Sequence, residues 1–166
     1  VMAQRLHRYI KGVTGIEDPY AAAKARDNAL ALSLLPELRE RLARSSEPFA
    51  LAVRLAIAGN LIDLGPKSDL TADEVVGSIR RVEEAPFSGD VAALQRRAEE
   101  ARSILYLADN AGEIVLDRLL IETLHPERVT VAVRGAPVIN DATLADAQTA
   151  GLHELVKVIS NGADVP

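Results

Sequence analysis

The sequence predicts an α/β protein, a helical amino-terminal region followed by the start of a Rossmann-like parallel sheet. Three observations lead there. Up to residue 102 the apolar residues recur at helical spacing, and helix start signals precede them. After it, three short apolar runs of strand length, 104–108, 129–133 and 155–160, alternate with helical stretches. Each run then breaks into a polar turn. Strands alternating with helices give a parallel sheet joined by right-handed crossovers. The expected division is a helical domain over 1–102 and an α/β domain over 103–166. Three strands are few for a doubly wound sheet, and the sequence opens on Val1 and closes on a turn. The expectation is therefore a fragment whose α/β domain lacks its C-terminal part.

Residues 2–13 read as a helix with Leu6, Tyr9, Ile10 and Val13 on one side. Asp18-Pro19 is an N-cap followed by proline at the first helical position, opening a helix to about Leu35. Pro36 is expected to end it and begin a separate short helix over 37–43. Ser46-Glu47-Pro48 starts the next, 49–61, apolar almost all round and therefore buried. Thr71-Ala72-Asp73-Glu74 is a capping box for a helix to about Glu84. Pro86 and Gly89 break the pattern, and 90–102 forms a last helix with Val91, Leu94, Ala98 and Ala101 inward. Beyond the first strand, Ile114, Val115, Leu116, Leu119 and Leu120 mark an amphipathic helix, and 144–150 is the helix before the third strand.

With 48% apolar residues among 166, the chain can bury an ordinary core. Three Tyr, two Phe and no Trp leave that core to Leu, Ile, Val and Ala. A net charge of −5 argues against a nucleic-acid surface, which needs clustered Lys and Arg. A small phosphorylated ligand stays compatible, because a metal ion can supply positive charge. The absence of cysteine excludes disulfides and thiolate sites. The amino terminus is unlike a signal peptide, and Arg54 interrupts the most apolar helix, so no membrane span is expected. A cytoplasmic location is the expectation; oligomeric state is not legible.

The chemistry is concentrated in the three turns. The first reads Asp109-Asn110-Ala111-Gly112-Glu113, the second runs from Arg134-Gly135 to Asn140-Asp141, and the third is Ser160-Asn161-Gly162. Turns at the carboxyl ends of parallel strands share one edge, where ligands of open α/β sheets bind. Asp109, Asn110, Arg134, Asp141 and Asn161 should converge there, with the start of the helix after Gly112 favouring an anion. Each also has a purely structural reading. Asn110 and Glu113 can form a capping box, Asp141 can cap the following helix, and Asn-Gly is a common turn. Carboxylate and amide oxygens without thiolate or imidazole suit magnesium, manganese or a similar octahedral ion. His7, His125 and His153 fall away from these turns and are poor zinc ligands. Upstream, Asn60 and Asp63 share a helical face at the end of the buried helix. They read either as a C-terminal cap or as the helical side of the cleft.

No G-x-G-x-x-G follows the first strand, no P-loop motif occurs, and Ala111 stands where an aspartyl-phosphate phosphatase would carry its second acid. A metal-activated water attacking phosphorus fits better than a covalent intermediate. The competing readings are a non-catalytic module that binds a phosphometabolite or nucleotide, and a methyltransferase with Asp109 near its cofactor.

Taken together, Asp18-Pro19-Tyr20, Ala58-Gly59-Asn60-Leu61-Ile62-Asp63-Leu64-Gly65, the Asp109 turn, the Arg134-to-Thr143 stretch and Ser160-Asn161-Gly162 resemble the damage-control phosphatase family, in its smaller stand-alone prokaryotic branch. The resemblance implies a phosphatase that uses a divalent cation (Mg, Mn, Co or Ni) to hydrolyse small phosphate monoesters, among them sugar phosphates and damaged phosphometabolites. It implies Asp109, Asn110 and Asp141 as metal ligands and catalytic residues. Gly112, Glu113, Arg134, Asn140 and Asn161 would line the substrate pocket, with Asn60 and Asp63 approaching from the helical side. One departure accompanies it: the family's later Lys-Gly motif, expected to hold the substrate phosphate, has no counterpart here.

Overall fold

The computed structural model describes residues 2–60 and 72–164. Among them the order is α1 (Met2–Thr14), α2 (Ala21–Arg44), α3 (Pro48–Gly59), α4 (Ala72–Glu84), α5 (Val91–Glu100), β1 (Ile104–Leu107), α6 (Glu113–Thr123), β2 (Val129–Val133), α7 (Leu144–Thr149) and β3 (Lys157–Ser160). Asp63 and the Thr71 cap lie outside the described residues. The fold is α/β as expected. Its three strands are parallel and ordered β1-β2-β3, with Tyr106, Val131 and Val158 side by side across the sheet.

Strand alternation decides which face is buried. Val129, Val131 and Val133 point to the covered side, where Ile114, Val115, Leu116, Leu119 and Ile121 of α6 meet them. The same apolar cluster continues into Ala31, Leu34, Leu35 and Leu38 of α2, Leu55 and Ala58 of α3 and Ile79 of α4. Each fully buried Leu or Ile contributes roughly 1.5–3 kcal/mol, so α6, flanked by sheet and helices, is the centre of the core. The opposite face carries Leu105, Leu107 and Ile159, all exposed.

Three local expectations are corrected. Pro36 does not end a helix, because α2 runs through it without a break to Arg44. Leu34, Leu35 and Leu38 are buried on either side of it, and their packing holds the helix where proline alone would stop it. Nor is Pro19 the first helical residue. Asp18 Oδ1 accepts the Tyr20 N–H at 2.9 Å in an Asx turn, and α2 begins at Ala21. Finally, α5 is capped by Asp90, whose Oδ1 accepts from the Ala93 N–H at 2.8 Å, yet none of its residues is buried and Leu94 is half exposed. Its amphipathic pattern is real, but α5 packs against α3 with Val91, Ala93 and Ala98 only half-buried.

Arg54 has a structural task that its position in an apolar helix does not announce. Its Nη1 donates to the Val82 and Ala85 carbonyls at 2.8 and 2.9 Å, satisfying the end of α4, and its guanidinium lies 5.3 Å from the centre of the Phe87 ring. No described helix is long and apolar enough to cross a membrane.

Candidate active site

The carboxyl ends of the three strands put the polar turns on one edge. Asp109 and Asn110 follow β1, Arg134 follows β2 directly, and Asn161 follows β3 directly. The first two turns are laced together by backbone. Asn110 and Asp141 form an isolated antiparallel bridge, with the Ala142 N–H donating to the Asp109 carbonyl at 2.7 Å and the Ala111 N–H to the Asn140 carbonyl at 2.9 Å. A second bridge pairs Arg134 with Thr143. The two acids separated by one crossover unit therefore sit on adjoining backbone.

Their side chains differ in setting. Asp109 is exposed, Asn110 is 6% exposed and Asp141 is intermediate. Arg134 Nε donates to Asp141 Oδ2 at 2.5 Å, a charge-assisted bond that engages one of the two carboxylate oxygens. Asn110 Nδ2 donates to Glu113 Oε2 at 3.1 Å, which makes its Oδ1 the end available to a cation. Among the described residues no three of His, Cys, Asp and Glu gather as a metal-binding group. The Asp109, Asn110 and Asp141 set, two carboxylates and an amide, offers only oxygens and fits a hard divalent ion.

The remaining candidates are placed less uniformly. Asn161 turns its Oδ1 onto backbone, accepting from Gly135 N–H at 3.1 Å and Ala163 N–H at 2.9 Å, so it ties the second and third turns together. Asn140 is half-buried and contributes its carbonyl to the Ala111 bond. Asn60 is exposed and closes α3, next to Gly59. A Cβ on Gly59 would stand 3.2 Å from Glu113 Cα and Cγ, so the end of α3 abuts the start of α6 and brings Asn60 to that side of the turn. Glu113 opens α6 and is intermediate in burial.

Gly112 is the residue the helix starts from, at φ +79° and ψ −55°, a backbone open to glycine and costly for others. Its N–H is already used: it donates to Asn28 Oδ1 at 2.7 Å. The free helix start anticipated for an anion is therefore partly filled by an amide from α2. Asn110 caps α6 only through its carbonyl, which accepts the Ile114 N–H at 3.0 Å, while its side chain goes to Glu113.

Sequence reasoning missed the group behind this contact. Lys24, Asn28 and Asp146 are all buried, at 4, 2 and 6% exposure. Lys24 Nζ lies 2.8 Å from Asp146 Oδ2 and 3.5 Å from Asp18 Oδ2, and Asn28 Nδ2 donates to Asp146 Oδ1 at 2.9 Å. Asp146 also closes the capping box of α7 with Thr143. Burial opposes its ionisation, but the Lys24 and Thr143 bonds outweigh it and hold its pKa below the usual value. A signal existed: Lys24 and Asn28 occupy the same helical face as Ala31, Leu35 and Leu38, polar residues at core positions. An open cleft of about 380 Å³ lies beside them, walled by Ala21, Ala25, Leu32, Pro137 and Thr149.

Under the turn, Tyr106 of β1 donates its O–H to Asp117 Oδ1 of α6 at 2.7 Å. Burial pushes the Asp117 carboxyl up to about 8 against the opposing bond from Tyr106, and the charges of Glu113 and Asp109 push the same way. Burial, then Asp117, likewise raise the Tyr106 phenol.

Comparison with known proteins gives one answer. The family model of the damage-control phosphatase ARMT1-like domain matches residues 1–166. A damage-control phosphatase of Archaeoglobus fulgidus is 36% identical over 166 residues, covering 97% of this chain and 57% of that protein. Damage-control phosphatase PH1575 of Pyrococcus horikoshii is 33% identical over 156 residues, covering 91% of this chain and 52% of that protein. The crystal structure of PH1575, described as a DUF89 family protein, superposes with a TM-score of 0.84 at 30% identity, over 98% of this chain and 56% of that one. The chain thus spans about half the length of the relatives it matches. With a shared fold and a family match along its whole length, the chain belongs to the damage-control phosphatase ARMT1-like domain family.

Proposed function

We propose that this chain carries the cation-holding half of a divalent-metal-dependent phosphatase acting on small phosphate monoesters, sugar phosphates or damaged phosphometabolites among them. The observation that carries the reading is the Asn110–Asp141 bridge, which sets an amide and an acid on adjoining backbone, with Asp109 next in the chain, its carbonyl bonded to the Ala142 N–H, and the Arg134 guanidinium on Asp141. Asp109, Asn110 and Asp141 would hold the ion, with magnesium, manganese, cobalt or nickel as candidates. When bound, the ion polarises a phosphoryl oxygen and lowers the pKa of a coordinated water.

The protein's own groups have defined parts in this reading. Arg134 orients the Asp141 carboxylate, and its remaining N–H donors would meet phosphoryl oxygens of a bound ester. Glu113, through its bond from Asn110, fixes the amide so that its Oδ1 would be the end offered to an ion. The Asp109 carboxylate, exposed at the strand tip, would orient a water or take its proton. The names of the A. fulgidus and P. horikoshii relatives support phosphatase chemistry as the class.

The test is phosphate release from a panel of small phosphate esters by the full-length polypeptide, with and without Mn²⁺ or Mg²⁺. Asp109→Ala and Asp141→Asn are expected to cut turnover by about 100-fold or more, the scale at which preorganised electrostatic groups act. Turnover that survives both substitutions would sink the assignment. Binding of an ester without turnover would instead favour a non-catalytic module.

A further inference from the structure

The turn that carries Asp109 and Asn110 is held from behind by a buried chain of polar side chains from the helical region. We propose that Lys24, Asp146 and Asn28 are positioning residues for the cation site, fixing the Asp109–Gly112 turn by clamping the Gly112 N–H; the proposal rests on the metal reading given above.

The geometry runs without a gap. Asn28 Oδ1 accepts the Gly112 N–H at 2.7 Å, and Asn28 Nδ2 donates to Asp146 Oδ1 at 2.9 Å. Asp146 Oδ2 takes the Lys24 ammonium at 2.8 Å together with the Thr143 N–H at 2.8 Å and O–H at 2.7 Å. Thr143 is bridged to Arg134, and Arg134 grips Asp141. The same buried carboxylate thus ties to both turns that supply candidate ligands: through Asn28 to the Asp109 turn, and through Thr143 to the Asp141 loop.

The chemistry of the group favours this task over simple packing. Three polar side chains at core positions are costly, and apolar residues of the same size would pack without that cost. An amide is suited to the link because Asn28 must accept from Gly112 and donate to Asp146 at once, which neither an ionised Asp nor Leu can do. Gly112 reaches φ +79° and ψ −55° without strain, but a glycine is as free to leave that conformation, so a partner on its N–H is what restrains the turn. Groups behind metal ligands commonly govern affinity in this way.

The experiment uses the 166-residue chain, ¹⁵N-labelled, with Mn²⁺ alone as the probe for calorimetry and amide hydrogen exchange read at Gly112. Asn28→Ala is expected to speed Gly112 exchange and weaken Mn²⁺ binding about tenfold. Leu38→Ala, a core truncation elsewhere on α2, serves as the stability control and should leave Mn²⁺ affinity within about twofold of the parent at folding temperatures. Asn28→Ser, polar but too short to reach both partners, is the milder variant with the same expected signs if Asn28→Ala does not fold. Lys24→Arg should lie between the parent and Asn28→Ala, because the charge is kept and the fit is not. Unchanged Gly112 exchange in the Asn28 variants overturns the clamp. Faster exchange with unchanged Mn²⁺ affinity, or equal loss in Leu38→Ala, overturns its role for the site. A parent chain that takes up no Mn²⁺ while Asn28→Ala still speeds Gly112 exchange rejects the metal reading and, with it, the positioning role, and leaves a clamp that serves the fold alone.

Discussion

Asp117 is the residue whose setting makes the clearest statement about pH. It is 3% exposed and bonded to Tyr106, and burial pushes its carboxyl up from the ordinary 3.8 to about 8. Below about pH 4 the group is protonated in folded and unfolded chains alike, so it exacts no penalty. As pH climbs from there toward 8 the unfolded chain releases this proton and the folded one keeps it. The unfolded state then binds fewer protons, and stability falls with rising pH through that window. Asp146 and Glu122, whose pKa values are lowered by their cationic partners against burial, act in the opposite sense and lose their contribution only in acid. Asp117→Asn keeps a partner for Tyr106 and removes the proton. Urea unfolding at several pH values between about 5 and 8 should show a downward slope in the parent and a flatter one in the variant; parallel slopes would dismiss the assignment. Nothing in the sequence flags Asp117, an acid inside an amphipathic helix, because only its partner across from β1 reveals that it faces inward.

At the scale of elements, the sequence is most legible where side chains repeat and least where packing overrides a local rule. The strand 129–133 and the start of the helix at Pro48 appear where pattern and capping place them, since both rest on signals a few residues long. Helix α2 does not, because the burial of Leu34, Leu35 and Leu38 is a property of the assembled core and outweighs the proline. That conflict yields a measurable consequence. Pro36 is exposed, lacks the N–H that would bond the Leu32 carbonyl, and crowds the preceding turn. Pro36→Ala restores the donor at a position where no tertiary contact demands proline, and is expected to raise stability by about 1–3 kcal/mol. A denaturation midpoint that stays put or falls would mean that the helix is adapted to the proline rather than merely tolerant of it. The turns are intermediate: their residues stand out in the sequence, but the use of Asn161 and Gly112 as backbone ties is visible only once Gly135 and Asn28 are seen opposite them.

For the whole molecule, alternation of strand and helix foretells a parallel sheet, yet not which of its faces the helices cover. Both crossover helices, α6 and α7, join neighbouring strands of a sheet ordered β1-β2-β3, and the core collects on one side. Leu105 and Leu107 are left at 61 and 72% exposure, although parallel sheets are ordinarily covered on both faces. The two faces should therefore respond very differently to substitution. Val131 is fully buried under α6, and Val131→Ala is expected to cost roughly 2 kcal/mol from lost burial and the space left behind. Leu105→Thr with Leu107→Thr keeps strand-compatible side chains on the open face. Its cost should stay within about 0.5 kcal/mol, and it should reduce self-association, since a contiguous apolar patch in water invites contact between chains. Urea unfolding gives the first quantity and light scattering against concentration the second. If the threonine pair destabilises the 166-residue chain as much as Val131→Ala does, that face is covered in solution and the one-sided core described here is wrong. If the cost is small and association drops, the apolar face is unpartnered in this chain, and its stability comes from α6 and the helices packed on it.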